Sequence, residues 1–401
     1  MDRATIRRLA YVANIRFPTE KAHGLQIARM CEAFADAGVA TTLVHPRRRQ
    51  TEPGLPSDGR DYYGVRHVFE VAPTRNIDVV RWSYLPRPLF VPLFFLHNVI
   101  WGLYAAIAIR RSGFDACFTR DIAAAFWLAL LGFPVAYEAH SVPRGAQRLV
   151  LAALVRLPAL RLLVALTKPL RERLIALGAR ADRCIVQADA ADLAAFDAAP
   201  DRSTARGTLG LPLDQTIVGY LGRFQTLGME KGLHELIQAV GHLSQPRPLL
   251  LCVGGPMDAV AAYRARARQC GFDDGDARFV DRVPSAEVPL WLRAFDIAVA
   301  PFPDTEHYAY FMSPLKIFEY LASGLPIVAT DLPSLREVLV SGENALLMPA
   351  GDTEALAAAL RDLIGDPDAR GRLGRAARAT AEGHTWSARA RAILRAFDSV
   401  A

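Results

Sequence analysis

Two cations at the end of an apolar run are the first residues here that could do chemistry. In GYLGRFQTLGMEKGL (219–233), glycines flank Arg223 and, further on, Lys231 is followed by Gly232. A glycine-bearing loop between a strand and a helix lets backbone N–H groups approach an anion. Arg223 can chelate phosphate oxygens through two parallel hydrogen bonds, and Lys231 adds a mobile charge. Such a pair suits a leaving diphosphate, although solvated Arg and Lys on a loop fit the same spacing. The second constellation is MSPLKIFEYLASG (312–324). Ser313 suits an N-cap, Pro314 the first helical position, and Gly324 the stop. The predicted helix presents free N–H groups and a positive dipole end. Glu319 lies about a turn and a half in. A carboxylate there can accept two hydrogen bonds from a vicinal diol such as ribose, or pair with Lys316 three residues before it.

Other chemistries find no motif. The chain has no GxxxxGK[ST] phosphate loop, no Gly-x-Ser-x-Gly elbow and no His-Glu-x-x-His. The first strand is not followed by Gly-x-Gly-x-x-Gly, which argues against a dehydrogenase. Asp274-Gly275-Asp276 has the Asp-x-Asp form of a metal site. It lies in a Gly/Asp-rich turn away from the two constellations at 219–233 and 312–324, so no metal is expected.

The elements that must position these residues alternate in type. Short continuous apolar runs (8–15, 40–45, 115–119, 134–138, 162–166 and 183–187) are separated by helical patterns such as GLQIARMCEAFADAG (24–38). After a polar stretch at 189–215, read as a linker, the alternation restarts with runs at 216–222, 248–254, 277–281, 296–301, 325–330 and 345–349. Continuous rather than alternating apolar runs are the mark of strands buried on both faces of a parallel sheet. The expected fold class is therefore α/β, with two doubly wound Rossmann-like lobes facing across a cleft and ligands beyond the C-terminal strand ends. The expected domains are a first Rossmann-like lobe over 1–200, a second over 205–380, and a terminal helix over 381–401 that could cross back to the first lobe.

Composition bounds the rest. The 401 residues are 52% apolar and 22% charged, ordinary for a globular chain of two or three domains. Residues 1–200 carry 26 Lys and Arg against 17 Asp and Glu; the remainder carries 21 against 24. A basic first half fits a membrane surface, a phosphorylated acceptor or nucleic acid, or simply scattered solvated arginines. Five dispersed cysteines with no Cys-x-x-Cys suggest a reducing compartment. No signal peptide is visible, so a cytoplasmic location is expected. The apolar stretch 89–109 has nearly the length of a spanning helix, but Pro92, His97 and Asn98 interrupt it. It is read first as a buried or half-buried helix. With the basic stretch 144–161, it also suggests peripheral attachment to the inner face of a membrane.

The motifs taken in order resemble family 4 of the GT-B-fold glycosyltransferases, which are retaining enzymes. SPLKIFEYLASGLPIVATDLPSLREVL (313–339) resembles the family's donor-site region, preceded in order by GRF…EKG, VGGP (253–256) and VPLWLRAFDIAVAPF (288–302). FPTEKAHGLQ (17–26), YEAHS (137–141) and LTKPLRERLIALG (166–178) extend the resemblance to both halves. The resemblance implies that Arg223 and Lys231 hold the donor diphosphate and that Glu319 binds the ribose hydroxyls. It implies that the backbone of Ser313, Pro314 and Leu315 lies against the sugar, with the N–H groups of Ser313 and Leu315 as the donors and Leu315 near the base. It adds Lys316, Gly254 and Gly255 to the donor site, and Gly24 as the point where the first helix approaches the diphosphate. It implies that His140 hydrogen-bonds the sugar; from the residues alone, a satisfied strand-end histidine reads better. Phe311 stands where the family commonly has a further glutamate, and Glu306 and His307 are the candidates to replace it.

The function implied is a retaining, metal-independent transfer of a sugar from a nucleotide-diphosphate sugar to a glycan, a lipid-linked or another hydroxyl acceptor. No cofactor and no nucleic-acid partner are expected. A sugar-nucleotide epimerase on the same fold, and a non-catalytic nucleotide-sugar-binding subunit, are the alternatives.

Overall fold

The structure is a computed structural model and describes residues 6–50, 55–226 and 229–400. It divides into two compact units: residues 1–188 with 386–401, and residues 189–385.

In unit 1, the strands are β1 (Arg8–Val12), β2 (Ala40–Pro46), β3 (Glu70–Thr74), β4 (Ala116–Thr119), β5 (Val135–Ala139), β6 (Leu160–Ala165) and β7 (Cys184–Val186). The helices are α1 (Ala22–Asp36), α2 (Gly59–Tyr63), α3 (Arg87–Arg111), α4 (Ile122–Leu130), α5 (Ala146–Leu154) and α6 (Lys168–Ala176). All seven strands pair in parallel in the order β3-β2-β1-β4-β5-β6-β7. Every residue of β4 and β5 is buried, as the continuous apolar runs require. β3 did not show in the sequence: EVAPT holds two apolar residues beside a proline, and as an edge strand it tolerates both.

In unit 2, helices α7 (Leu193–Asp197) and α8 (Arg202–Leu209) precede β8 (Ile217–Leu221). A two-residue hairpin, β9 (Gln225–Thr226) and β10 (Met229–Glu230), leads into α9 (Leu233–Gly241). There follow β11 (Leu249–Val253), α10 (Val260–Gln269), β12 (Ala277–Val280), α11 (Val288–Arg293), β13 (Ile297–Ala300), α12 (Leu315–Ala322), β14 (Ile327–Thr330) and β15 (Leu346–Met348). Two helices, α13 (Thr353–Gly365) and α14 (Pro367–Glu382), close the unit, and α15 (Trp386–Ser399) packs in unit 1 on α1 and β6. The sheet is parallel in the order β12-β11-β8-β13-β14-β15. Both units are doubly wound α/β sheets.

Two sequence expectations are corrected here. The polar stretch 189–215 is not a linker. Asp201 caps α8 by accepting from Thr204 N, and Arg206 inside that helix is buried against Asp296. An aspartate before a helical run is a start signal that the Ala/Asp-rich composition masked. The unit boundary accordingly falls at 188/189 rather than near 200.

Candidate functional site

The candidate site in unit 2 is built at the C-terminal ends of β8, β11 and β13. β8 ends at Leu221, and Gly222 turns the chain with φ 121°. Gly222 N donates to Val253 O at 2.8 Å, and Phe224 N to Gly255 O at 2.7 Å. A side chain at Gly254 would put Cβ 2.4 Å from Gly222 O. Gly254 thus lets the Arg223 loop lie flat on the end of β11, while a Cβ at Gly255 would fall 2.4 Å from Asp281 Oδ1.

Lys231 is fixed by the turn that follows. Glu230 accepts hydrogen bonds from Gly232 N at 2.5 Å and Leu233 N at 2.6 Å, capping α9. Gly232 has φ 86°, and any Cβ there would lie 1.7 Å from Pro301 O, so the position demands glycine. Burial, and then the nearby Arg223 guanidinium, push the Lys231 ammonium down to about 8.

α12 supplies the other wall. The Tyr320 hydroxyl accepts from Leu221 N at 2.8 Å and lies 3.3 Å from Val299 O, tying the helix to β8 and β13. Lys316 is buried, with Nζ 3.6 Å above the Tyr220 ring and 4.8 Å from that of Phe302. Its Nζ also lies alongside Gly222, and no hydrogen-bond acceptor reaches it. Burial and then Lys231 hold its pKa well below the usual lysine range. Glu319 is half-buried, and burial pushes its carboxyl up to about 7 against the pull of Lys316. His307 is shifted down by burial and by Lys231, which puts it in the same field.

These residues converge without neutralising one another. Among the described residues, no carboxylate forms an ion pair with Arg223, Lys231 or Lys316. Burial and adjacent like charges leave a cationic spot that an anion would relieve. α12 adds its free N-terminal N–H groups.

The start of α12 differs from expectation. The helix begins at Leu315 and Pro314 is the residue before it; Ser313 Oγ instead accepts from Asp189 N at 2.8 Å. Ser313 therefore ties the entry of the unit to the residue before α12 rather than capping that helix. Phe311 is buried in a π-helical turn, His307–Phe311, so no carboxylate stands in its place. Asp276 of the Asp-x-Asp is taken by Arg247, at 2.9 Å.

His140 and Gly24 belong to unit 1. His140 Nε2 lies 2.6 Å from Glu138 Oε1, and Nδ1 lies 3.1 Å from an Arg120 guanidinium nitrogen. Arg120 can only donate, so these partners place the imidazole proton on Nε2. Burial and Arg120 push His140 down to about 4. Both ring nitrogens are satisfied within the unit, which is the strand-end reading. Gly24 lies in the first turn of α1, where a Cβ would fall 1.9 Å from the Tyr63 hydroxyl. That hydroxyl bridges Thr19 O at 2.6 Å and Thr19 N at 2.8 Å, so the glycine's place is explained by internal packing.

Sequence reasoning missed the anchor of this region. Glu138 is fully buried and accepts from Arg389 of α15 at 2.7 Å and from Gln26 at 3.0 Å. Burial raises its pKa, but Arg389 and His140 overcome this and hold it well below the carboxylate range. A glutamate inside an apolar run was the available signal; its partner lies 251 residues away.

Comparison with known proteins agrees with this geometry. The family model "Glycosyl transferases group 1" matches residues 215–366, the stretch holding Arg223, Lys231, Lys316 and Glu319. A D-inositol 3-phosphate glycosyltransferase of Corynebacterium efficiens is 33% identical over 218 residues, 52% of this chain and 49% of the relative. That of Xylanimonas cellulosilytica is 34% identical over 242 residues, 58% and 55% respectively. The chain thus spans about half the length of the curated relatives it matches. Among solved structures, sucrose-phosphate synthase of Thermosynechococcus elongatus aligns with a TM-score of 0.72 at 19% identity, covering 97% of this chain and 98% of that one. HepE of Anabaena, in complex with UDP and glucose, aligns with a TM-score of 0.74 at 18% identity, covering 98% and 100%. At such identities the structural likeness establishes the fold alone. The two-unit α/β fold is that of the GT-B glycosyltransferase structures it aligns with, and residues 215–366 match the model of the glycosyl transferases of group 1.

Proposed function

We propose that this chain is a retaining, metal-independent glycosyltransferase that takes a nucleotide-diphosphate sugar in unit 2 and transfers the sugar to a hydroxyl acceptor held by unit 1. One observation carries the reading: three basic side chains lie in one field, Arg223 acting on Lys231 and Lys231 on Lys316 of α12, with no carboxylate paired to them among the described residues, and Glu319, a carboxyl with a raised pKa, stands three residues further along α12. Breaking a sugar–diphosphate bond leaves negative charge on the departing phosphate. Fixed cations and a helix N-terminus stabilise that charge as it develops. They need no metal to do so. Glu319, once ionised, accepts the two ribose hydroxyls. The leaving phosphate takes the acceptor proton on the face from which it departs, and the anomeric configuration is kept.

The group 1 match over this stretch supports the donor site, and the UDP complex of the fold neighbour HepE is consistent with it. His140 and Gly24 enter the proposal through the resemblance, since each already serves an internal contact. An epimerase or a silent nucleotide-binding subunit is not favoured. Donor incubated alone separates these readings, because slow hydrolysis marks a transferase and epimerised sugar does not.

The direct test is a thermal-shift panel of UDP-, GDP- and ADP-sugars followed by Lys231→Ala. The expected result is one donor that raises Tm and a variant that keeps the fold but loses turnover. Turnover unchanged in Lys231→Ala would remove the diphosphate assignment.

A further inference from the structure

α3 is the long apolar helix of unit 1, and its surface is divided. One side is fixed in the unit: Trp101, Gly102, Ala105, Ala106 and Ile109 are buried. Trp101 Nε1 donates to Thr74 Oγ1 at 3.0 Å, and a Cβ at Gly102 would lie 2.9 Å from the backbone of α4. The other side is open. Leu89, Leu96 and Ile100 are 54–63% exposed, and Tyr104 and Ile107 continue the stripe. Positions 89, 96, 100, 104 and 107 follow helical spacing, so they share one face. Just before the helix, Ile77 and Tyr84 are more than 70% exposed.

The charge around this face has one sign. Residues 79–114 contain no Asp or Glu. Arg81, Arg87, Arg110 and Arg111 are exposed at the two ends of α3, and none forms an ion pair among the described residues. Phe90 and Phe94 of α3 also wall a cavity of about 900 Å³. Five cations (Arg16, Lys21, Arg48, Arg49 and Arg81) and two carboxylates (Glu20 and Asp78) line it.

We propose that unit 1 docks on an anionic lipid bilayer, with the outward stripe of α3 lying in the interface and its flanking arginines on the head groups. An exposed apolar stripe bordered by cations is the pattern of an interfacial helix. Trp82 and Tyr84 stand at the N-terminal edge, as interfacial aromatics do. The cationic cavity beside the helix extends the same potential inward from the lipid surface. α3 lies on the bilayer rather than across it, because spanning would strip Trp101, Gly102 and Ala105 from the core. The inference rests on the proposed transfer only in that it places the acceptor at a lipid surface; docking itself needs no donor.

The test is co-sedimentation of the full chain with phosphatidylcholine vesicles, with and without phosphatidylglycerol, at low and high salt. The expected result is binding to the phosphatidylglycerol vesicles at low salt, weakened at least tenfold by Leu96→Glu/Ile100→Glu. Arg110→Glu/Arg111→Glu should weaken binding to anionic vesicles only. Far-ultraviolet circular dichroism and the donor-induced Tm shift establish that the variants are folded, and they test the donor site separately. Wild-type protein that ignores anionic vesicles would overturn the proposal. So would an α3 variant that binds as wild type, or a wild-type dimer that the α3 variant abolishes.

Discussion

Donor binding should peak between two titrations that the fold itself has displaced. Burial raises the Glu319 carboxyl to about 7 and lowers the Lys231 ammonium to about 8. A ribose diol needs the carboxylate, and a diphosphate needs the ammonium. Affinity therefore tracks the fraction of protein with Glu319 ionised and Lys231 protonated. That fraction is largest near pH 7.5 and falls about sixfold by pH 6 and by pH 9. Stability runs the other way. The raised Glu319 contributes stability that is present below its ordinary 4.5 and is lost as pH rises through about 7. The depressed Lys231 contributes stability that is present above its ordinary 10.5 and is lost as pH falls through about 8. Between those values both groups are charged at a cost, which a bound nucleotide sugar relieves. The assay is titration calorimetry of the selected nucleotide sugar from pH 6 to 9. Glu319→Gln should flatten the acid limb and Lys231→Ala the alkaline one. His140, at about 4, and His307, also lowered, cannot supply a limb near 7. An acid limb that survives Glu319→Gln would refute the assignment, as would a flat wild-type profile.

Two further outcomes follow from buried charge. Lys316→Met removes a cation with no hydrogen-bond acceptor. It should stabilise the ligand-free protein by about 1–3 kcal/mol, read as a higher Tm by scanning calorimetry, while donor affinity falls at least tenfold. Arg389→Met strands the Glu138 carboxylate, which is fully buried. It should cost about 3–5 kcal/mol in a denaturant titration, and adding Glu138→Gln should restore much of the loss.

Much of this was legible because strand burial leaves a strong mark. Runs such as LLLCV and IAVA are apolar on both faces, and each became a central strand. The donor loop and α12 were legible from glycine, proline and charge at fixed spacing. What escaped depends on distance. Glu138 looked like a flaw in a strand until α15 brought Arg389 to it, a pairing that no local pattern encodes. β3 escaped because an edge strand need not be continuously apolar. Ser313 was misplaced because its hydroxyl answers a backbone group at Asp189, far away in the chain. The exposure of α3 escaped too: hydropathy counts apolar residues but does not tell which side of a helix the core will cover.

The absence of pairing at the candidate site contrasts with three other arginines of unit 2: Arg206 meets Asp296, Arg247 meets Asp276 and Arg378 meets Asp197. A carboxylate also stands next to Lys231 in sequence. Glu230, however, accepts from Gly232 N and Leu233 N at the start of α9 and forms no ion pair with Lys231. Holding a buried Lys316 in the field of a half-buried Lys231 and an exposed Arg223 is unfavourable by itself, and local consistency that breaks at one place marks the place where a partner is missing. The missing partner must be anionic, must reach Arg223, Lys231 and Lys316 at once, and must offer hydroxyls to Glu319. A diphosphate joined to a ribose meets all three requirements; inorganic phosphate meets only the first. Uridine diphosphate should therefore raise Tm far more than phosphate at equal concentration if the donor base is uracil, with the corresponding diphosphate doing so for guanine or adenine. Equal shifts from phosphate and from every nucleoside diphosphate would reduce the site to a simple anion trap.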